Sequence, residues 1–293
     1  MKFGINVYQT AARYGLLEGT QQPITADSVI SSIQHIKNLG YSHYEILTDP
    51  LLKSLHSDDR QMLFRHLADF NKENGLSVSV HSPFWWTDIS VPDADIRNAG
   101  IRQIMALIDE TDVMNPTHHV IHALPRTTLT KIAKAKVDSE HRQSFIAEYR
   151  QTVVCSLREI CRAVDGSRKI AIENLQQEPD FSMLWEIAEE LDLSINYDYG
   201  HQFLAEQNVF KAFEAMWPRI ASIHAHNIVI EKTEIGENCI LKDHKGLGNG
   251  IINTLQVLEY LKEKEYNGLV VVEVMGEDDA ADSTKFLLQH SYL

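Results

Sequence analysis

The sequence predicts an α/β chain folded as one (β/α)8 barrel over residues 1–293. Three observations predict it. Short, nearly continuous apolar runs alternate with longer amphipathic stretches from end to end, these pairs number eight, and no linker divides the chain. Its 293 residues suffice for a fold that typically needs about 250. The rival, a doubly wound open sheet, lacks its fingerprints: no GxGxxG follows the first strand and no GxxxxGK[ST] occurs. The GLGNG at 246–250 follows a long loop rather than a strand.

The expected strands are KFGINVY (2–8), SHYEIL (42–47), LSVSVH (76–81), HHVIHA (118–123), KIAIEN (169–174), LSINYD (193–198), IASIHAH (220–226) and GLVVVEV (268–274). They are β-branched and apolar on both faces, as strands covered on both sides should be. Between them, apolar residues recur every three to four positions. Val29, Ile33 and Ile36 form the first stripe, with Asp27 placed to cap and Gly40 to stop it. Leu63, Leu67 and Phe70 run to Gly75, and Ile101, Ile104 and Ile108 follow. The longest stripe runs from Ile146 to Val164, before Gly166. Met183 to Leu191, Val209 to Met216 and Ile251 to Leu261 supply three more, and Thr284 to His290 the last.

Lys plus Arg number 27 and Asp plus Glu 41, a formal charge of −14. That balance repels nucleic-acid backbones and opposes a polybasic membrane module. Hydrophobic residues at 44% and charged residues at 23% exclude a largely disordered chain. Cys155, Cys161 and Cys239 form no CxxC and no disulfide framework, so a reducing compartment is expected. The start, MKFGINVYQTAARYG, lacks the features of a signal peptide, and no run approaches the roughly 18 apolar residues of a membrane span. A cytoplasmic location follows as the expectation.

In such a barrel the active site lies at the carboxyl ends of the strands. Seven of the eight expected strands carry a carboxylate or imidazole near that end: Glu45; His81; His122; Glu173; Asp198 with His201; His224 and His226; Glu273. A strand-end His alone is most simply a hydrogen-bonded structural group. Glu173 and Glu273 are harder to dismiss, because each interrupts a strand otherwise fit for burial, and a buried carboxylate needs a cation, donors or a proton. Several such groups on one rim call for a divalent cation, and mixed His and carboxylate ligands suit Zn, Mn, Co or Fe better than Ca.

Seven short motifs occur in order: VHSP at 80–83, IHALP at 121–125, IEN at 172–174, DYGH at 198–201, IHAHN at 223–227, DHKGLGNG at 243–250 and VVEVM at 271–275. In these the chain resembles the xylose-isomerase-like TIM barrels, which comprise sugar (phosphate) isomerases and epimerases and the endonuclease-IV-type AP endonucleases. The resemblance covers almost the whole length. It implies one divalent metal, Mn, Zn, Co or Mg, held by Glu173, Asp198, His224 and Glu273. His81, His122, Glu45 and His244 are candidates for a second metal or for substrate contact. The endonuclease branch implies a third site using His201 and His244, with an Asp where this chain has Lys242; Asp243 is adjacent but out of register, and a cation there opposes a third ion.

The activity so implied is a metal-dependent isomerase or epimerase of a sugar or sugar derivative. Glu173 and Glu273 would move the proton next to a chelated carbonyl, and His201 would bind a nearby substrate oxygen. Phe84, Trp85 and Trp86 offer an apolar lid or a stacking face, or else pack helices on the barrel. One alternative is a dehydratase of a keto-polyol on the same site. The other is a zinc AP endonuclease or phosphodiester hydrolase, for which Arg126, Lys232, Lys242 and Lys245 are rim cations opposed by an acidic loop at Glu277, Asp278 and Asp279. A small carbohydrate-like partner is expected, with no nucleic acid and no membrane; a homo-oligomer is compatible with the sequence. Arg126 is also a candidate anion holder, at the head of a loop to His141 that would close over the site.

Overall fold

The computed structural model describes residues 1–7, 24–123, 139–175, 181–206, 208–232 and 239–293. Arg126, nearly all of the closing loop and the Lys232 side chain lie outside that description. Eight parallel strands close in the order β1-β10-β7-β6-β5-β4-β3-β2, where β1 is Lys2–Asn6, β2 His43–Leu47, β3 Ser77–His81, β4 His119–Ile121, β5 Ile170–Glu173, β6 Ser194–Asp198, β7 Ile220–Ala225 and β10 Leu269–Val272. All eight expected strands are present, and the fold is a (β/α)8 TIM barrel. Their outward residues meet helices whose apolar stripes are buried, among them Ile33, Leu67, Ile104, Leu157, Ile187 and Leu258. No described helix is long and apolar enough to cross a membrane.

The barrel interior departs from the usual filling of bulky branched residues. Imidazole and hydroxyl groups occupy its lower half. His43 bonds Ser77 through Nδ1 (2.8 Å) and Ser79 through Nε2 (3.0 Å), while the Ser222 hydroxyl meets His118 Nε2 (2.8 Å) and donates to Asn196 Oδ1 (2.5 Å). Gly4 makes room for this layer, since a Cβ there would stand 2.6 Å from His43 Cδ2.

Four local expectations are corrected. The first helix, Ala26–Asn38, is capped by Thr25 rather than Asp27. Thr25 is the residue with extended backbone, its hydroxyl accepts the Ser28 N–H, and Ser28 returns the bond, leaving Asp27 in the first turn beside the positive helix end. The longest helix spans Ser139–Ile160 and tightens into a 3-10 turn at Cys161–Ala163 before Gly166, whose φ of 93° redirects the chain. The stretch before GLGNG is not all loop: β8 (Asn227–Lys232) and β9 (Cys239–Lys245) form an antiparallel hairpin above β7. Glu277, Asp278 and Asp279 are the first turn of the last helix, Glu277–Gln289, rather than a rim loop. Asp279 there accepts the Gly246 N–H (3.0 Å) and Asp282 the Gly248 N–H (2.9 Å), so GLGNG is a turn pinned by carboxylates.

Candidate metal centre

Around the barrel, β5, β6, β7 and β10 are consecutive neighbours. Glu173 and Asp198 are the last residues of β5 and β6, and His224 lies level with Asp198 on β7. Glu273 follows β10 by one residue, its N–H still bonded to Ala225 O (3.0 Å). Adjacent strands thus deliver these four side chains together, each with one ligand atom within 4.8 Å of the others. Glu173 Oε1 and Oε2, Asp198 Oδ2, His224 Nδ1 and Glu273 Oε2 are buried and make no well-aligned hydrogen bond; they crowd one another, with His224 Nδ1 3.0 Å from Glu273 Oε2 and 3.4 Å from Glu173 Oε1. Leaving such atoms bare costs several kcal/mol each, and a divalent cation among three carboxylates and one imidazole removes that cost. The donor set fits the ion the sequence implies.

The electrostatics point the same way. Burial alone would raise the Glu173 and Glu273 carboxyls, yet His224, helped by His122 at Glu173 and His244 at Glu273, holds both well below the ordinary range. Burial alone would lower the His224 imidazole, but Glu273, Glu45 and Glu173 lift it well above its usual value. A raised His224 favours a proton among these carboxylates, and a metal bound there would have to displace it.

A second group joins His81 and His122 to Glu173, each Nε2 lying 3.3 Å from Glu173 Oε2. His81 Nδ1 meets the Ser82 carbonyl at 3.0 Å, which requires a proton on Nδ1. Its Nε2 then faces Glu173 either as the second N–H of an imidazolium or as a lone pair on a cation. Burial depresses this imidazole, and Glu173 more than reverses the effect, lifting it to about 9.

The third group is Asp198, His201, His226 and His244. His201 sits on the helix after β6, its Nδ1 against Asn174 O (3.0 Å) and its Nε2 buried without a partner. His226 Nε2 lies 3.1 Å from Asp198 Oδ1, and its ring stacks on His244 at 4.3 Å. Gly200 is required beside it, because a Cβ would stand 2.1 Å from His226 Cε1. His244 comes from the hairpin with φ of 54°, a left-handed conformation that costs an L-residue about 1–2 kcal/mol. Lys242 does not enter this group; its ammonium pairs with Glu231 on the facing strand. His226, not an Asp at 242, completes the cluster.

Glu45 belongs to none of the three groups. It stands behind His224, with Oε1 2.9 Å from His224 Nε2 and Oε2 accepting the Ser79 hydroxyl at 2.8 Å. Phe84 covers His122, with ring centroids 4.3 Å apart, while Trp85 and Trp86 are 40% and 51% exposed and do not pack helices on the barrel. Asp49 holds this aromatic segment by accepting the Phe84 and Trp85 N–H groups at 3.1 and 3.0 Å. Asp49 has no place among the residues expected from sequence, and His226 has no role there. The second is detectable, since in HAH both imidazoles share one strand face.

Over 280 residues the chain is 23% identical to the uncharacterized protein MJ1311 of Methanocaldococcus jannaschii, covering 90% of this chain and 85% of that one. A D-tagatose 3-epimerase-like protein superposes with a TM-score of 0.68 at 20% identity, over 99% of this chain and 97% of that one. D-psicose 3-epimerase of Clostridium cellulolyticum superposes with a TM-score of 0.67 at 17% identity, over 100% and 99%. At these identities the superpositions establish the fold. The model of the xylose isomerase-like TIM barrel family matches residues 33–290, and the chain belongs to that family.

Proposed function

We infer that the protein is a metal-dependent isomerase or epimerase of a sugar or sugar derivative. The observation that carries this is the convergence of Glu173, Asp198, His224 and Glu273, with unpartnered ligand atoms, at the mouth of the barrel. A divalent ion held there would polarise a carbonyl and its neighbouring hydroxyl and acidify the carbon-bound proton between them. Glu173 and Glu273 supply the base and the acid. Both are kept ionised, and they approach from strands separated by β6 and β7, so one can take the proton and the other return it to the opposite face. His201 offers its bare Nε2 to a substrate hydroxyl. Phe84, Trp85 and Trp86 provide an apolar edge for a ring or carbon chain.

The test is a screen of ketoses, aldoses and inositol derivatives in D2O with added Mn or Mg. Deuterium appearing at the carbon beside the carbonyl in an isomerised product supports the reading, and loss of water instead identifies a lyase. No exchange with any of these substrates, together with no bound metal, would sink it. A second reading, a phosphodiester hydrolase, is favoured by one observation: the three ligand groups adjoin through Glu173 and Asp198. Three ions per chain by elemental analysis would select it, against the formal charge of −14.

A further inference from the structure

Past Glu173, β5 ends and the main chain leaves the wall, while β6 continues to Asp198. At that level Asp198 would lose its ladder partner on the β5 side. The Asn174 side chain takes its place. Its Nδ2 donates to Asp198 O at 2.8 Å, and its Oδ1 accepts the Asp198 N–H at 2.8 Å. A carboxamide presents an N–H and a carbonyl oxygen side by side, spaced like a peptide group, so it extends the sheet by a step after the backbone has turned away. That turn frees the Asn174 carbonyl to accept the His201 Nδ1–H at 3.0 Å. Asn174 itself is fully buried.

We propose that Asn174 is a positioning residue of the metal centre, fixing Asp198 through its side chain and the ring of His201 through its main-chain carbonyl. With the Asp198 backbone clamped, Oδ1 is engaged by the His201 N–H (2.7 Å) and by His226 Nε2 (3.1 Å), and Oδ2 is left to face the cavity. With the His201 proton held on Nδ1, Nε2 is presented as a lone pair. One residue next to Glu173 thereby sets the geometry of two others, with both of its side-chain polar atoms engaged by the Asp198 backbone. Neither apolar packing nor a surface role accounts for a buried amide whose two polar atoms both go to the same site residue.

The inference rests on the metal reading above, and two measurements on the full chain separate their fates. In Mn titrations by calorimetry, Asn174→Ala and Asn174→Asp should bind about 10–100-fold more weakly than the parent, the range seen when the orienting partner of a ligand is lost. Asp keeps the acceptor but sets a carboxylate oxygen against the Asp198 carbonyl. Ser156→Ala removes a comparable buried bond, from Ser156 Oγ to Ile89 O, on an outer helix, and should leave affinity within about twofold. In the metal-free chain, the Asp198 amide should exchange with D2O faster in Asn174→Ala, which loses its acceptor, and in Asn174→Asp, where repulsion from the Asp198 carbonyl moves the acceptor away. Should Asn174→Ala fail to fold, Asn174→Asp carries both comparisons. Parent-like Mn affinity in a folded Asn174 variant overturns the proposal, and so does unchanged exchange at Asp198. A parent chain that binds no Mn sinks the metal reading, and the amide exchange then decides the clamp alone.

Discussion

The floor and the mouth of the barrel use the same residue types to opposite ends. At the floor, His43 and His118 meet hydroxyls on both ring nitrogens. Burial there pushes His43 down to about 3 and His118 to about 4, so both are neutral plugs. At the mouth, His81 and His244 meet carboxylates, and these overcome burial to lift them to about 9 and about 10. A hydroxyl can donate to or accept from a neutral imidazole, whereas a carboxylate only accepts, so it holds a proton on the ring nitrogen that faces it and favours the charged ring. The partner, not the histidine, decides which rings are neutral and which are charged.

The largest effect separating the halves should come from Glu173 and Glu273. Replacing either with Ala is expected to lower turnover by about 10²–10⁴-fold and to weaken metal binding sharply, because each is proposed as both ligand and proton carrier. A floor substitution such as His43→Gln should leave metal affinity near that of the parent. Full activity in either Glu variant would defeat the assignment. Next in size is Glu45, the carboxylate joining the halves through Ser79 below and His224 above. Glu45→Gln should cost about 10–100-fold in metal affinity, since Glu45 orients the His224 ring and raises its basicity. Direct ligation by Glu45 would instead remove an ion from the stoichiometry.

A smaller effect, of opposite sign in the two halves, is expected from pH. His81 is raised in the folded metal-free chain, so its stabilisation is complete below about 6.5 and is lost as pH rises to about 9. His43 and His118 are depressed, so the unfolded chain takes up protons first, and stability is lost as pH falls from about 6.5 toward 4. Glu173 and Glu273, also depressed, add to the acid side. A metal bound at the mouth would replace that proton. Melting temperature between pH 6.5 and 9 should therefore fall in chelator and stay flatter with Mn. Identical alkaline slopes in the two conditions would show that mouth protonation and metal do not compete.

The same contrast marks where sequence stops being informative. The strands and the polar ends of β5, β6, β7 and β10 are legible, because a carboxylate inside an apolar strand is costly unless a cation or donor meets it, and alternation fixes its face. The partners are not. Whether His43 meets a serine or a glutamate depends on its register with β3, some 34 residues away, and no local pattern encodes that. The hairpin is hidden for a related reason: NIVIEK carries no Gly-containing two-residue turn, and its pairing with β9 spans residues 233–238. The role of His226 depends on the missing Cβ of Gly200 and on the hairpin that brings His244 alongside, neither of which its own strand announces.

The smallest predicted change tests the floor alone. Ser222 shares β7 with His224 but faces downward partners, bonding His118 Nε2 and Asn196 Oδ1 from one hydroxyl. Ser222→Ala leaves both of these buried groups without that hydroxyl, at a cost of about 1–3 kcal/mol in folding stability. It changes no group that meets a ligand atom of the metal centre, so Mn affinity should stay within about twofold of the parent while the melting temperature falls. Were affinity to drop with stability, floor and mouth would be one coupled network, and the neutral histidines below would belong to the working part of the site.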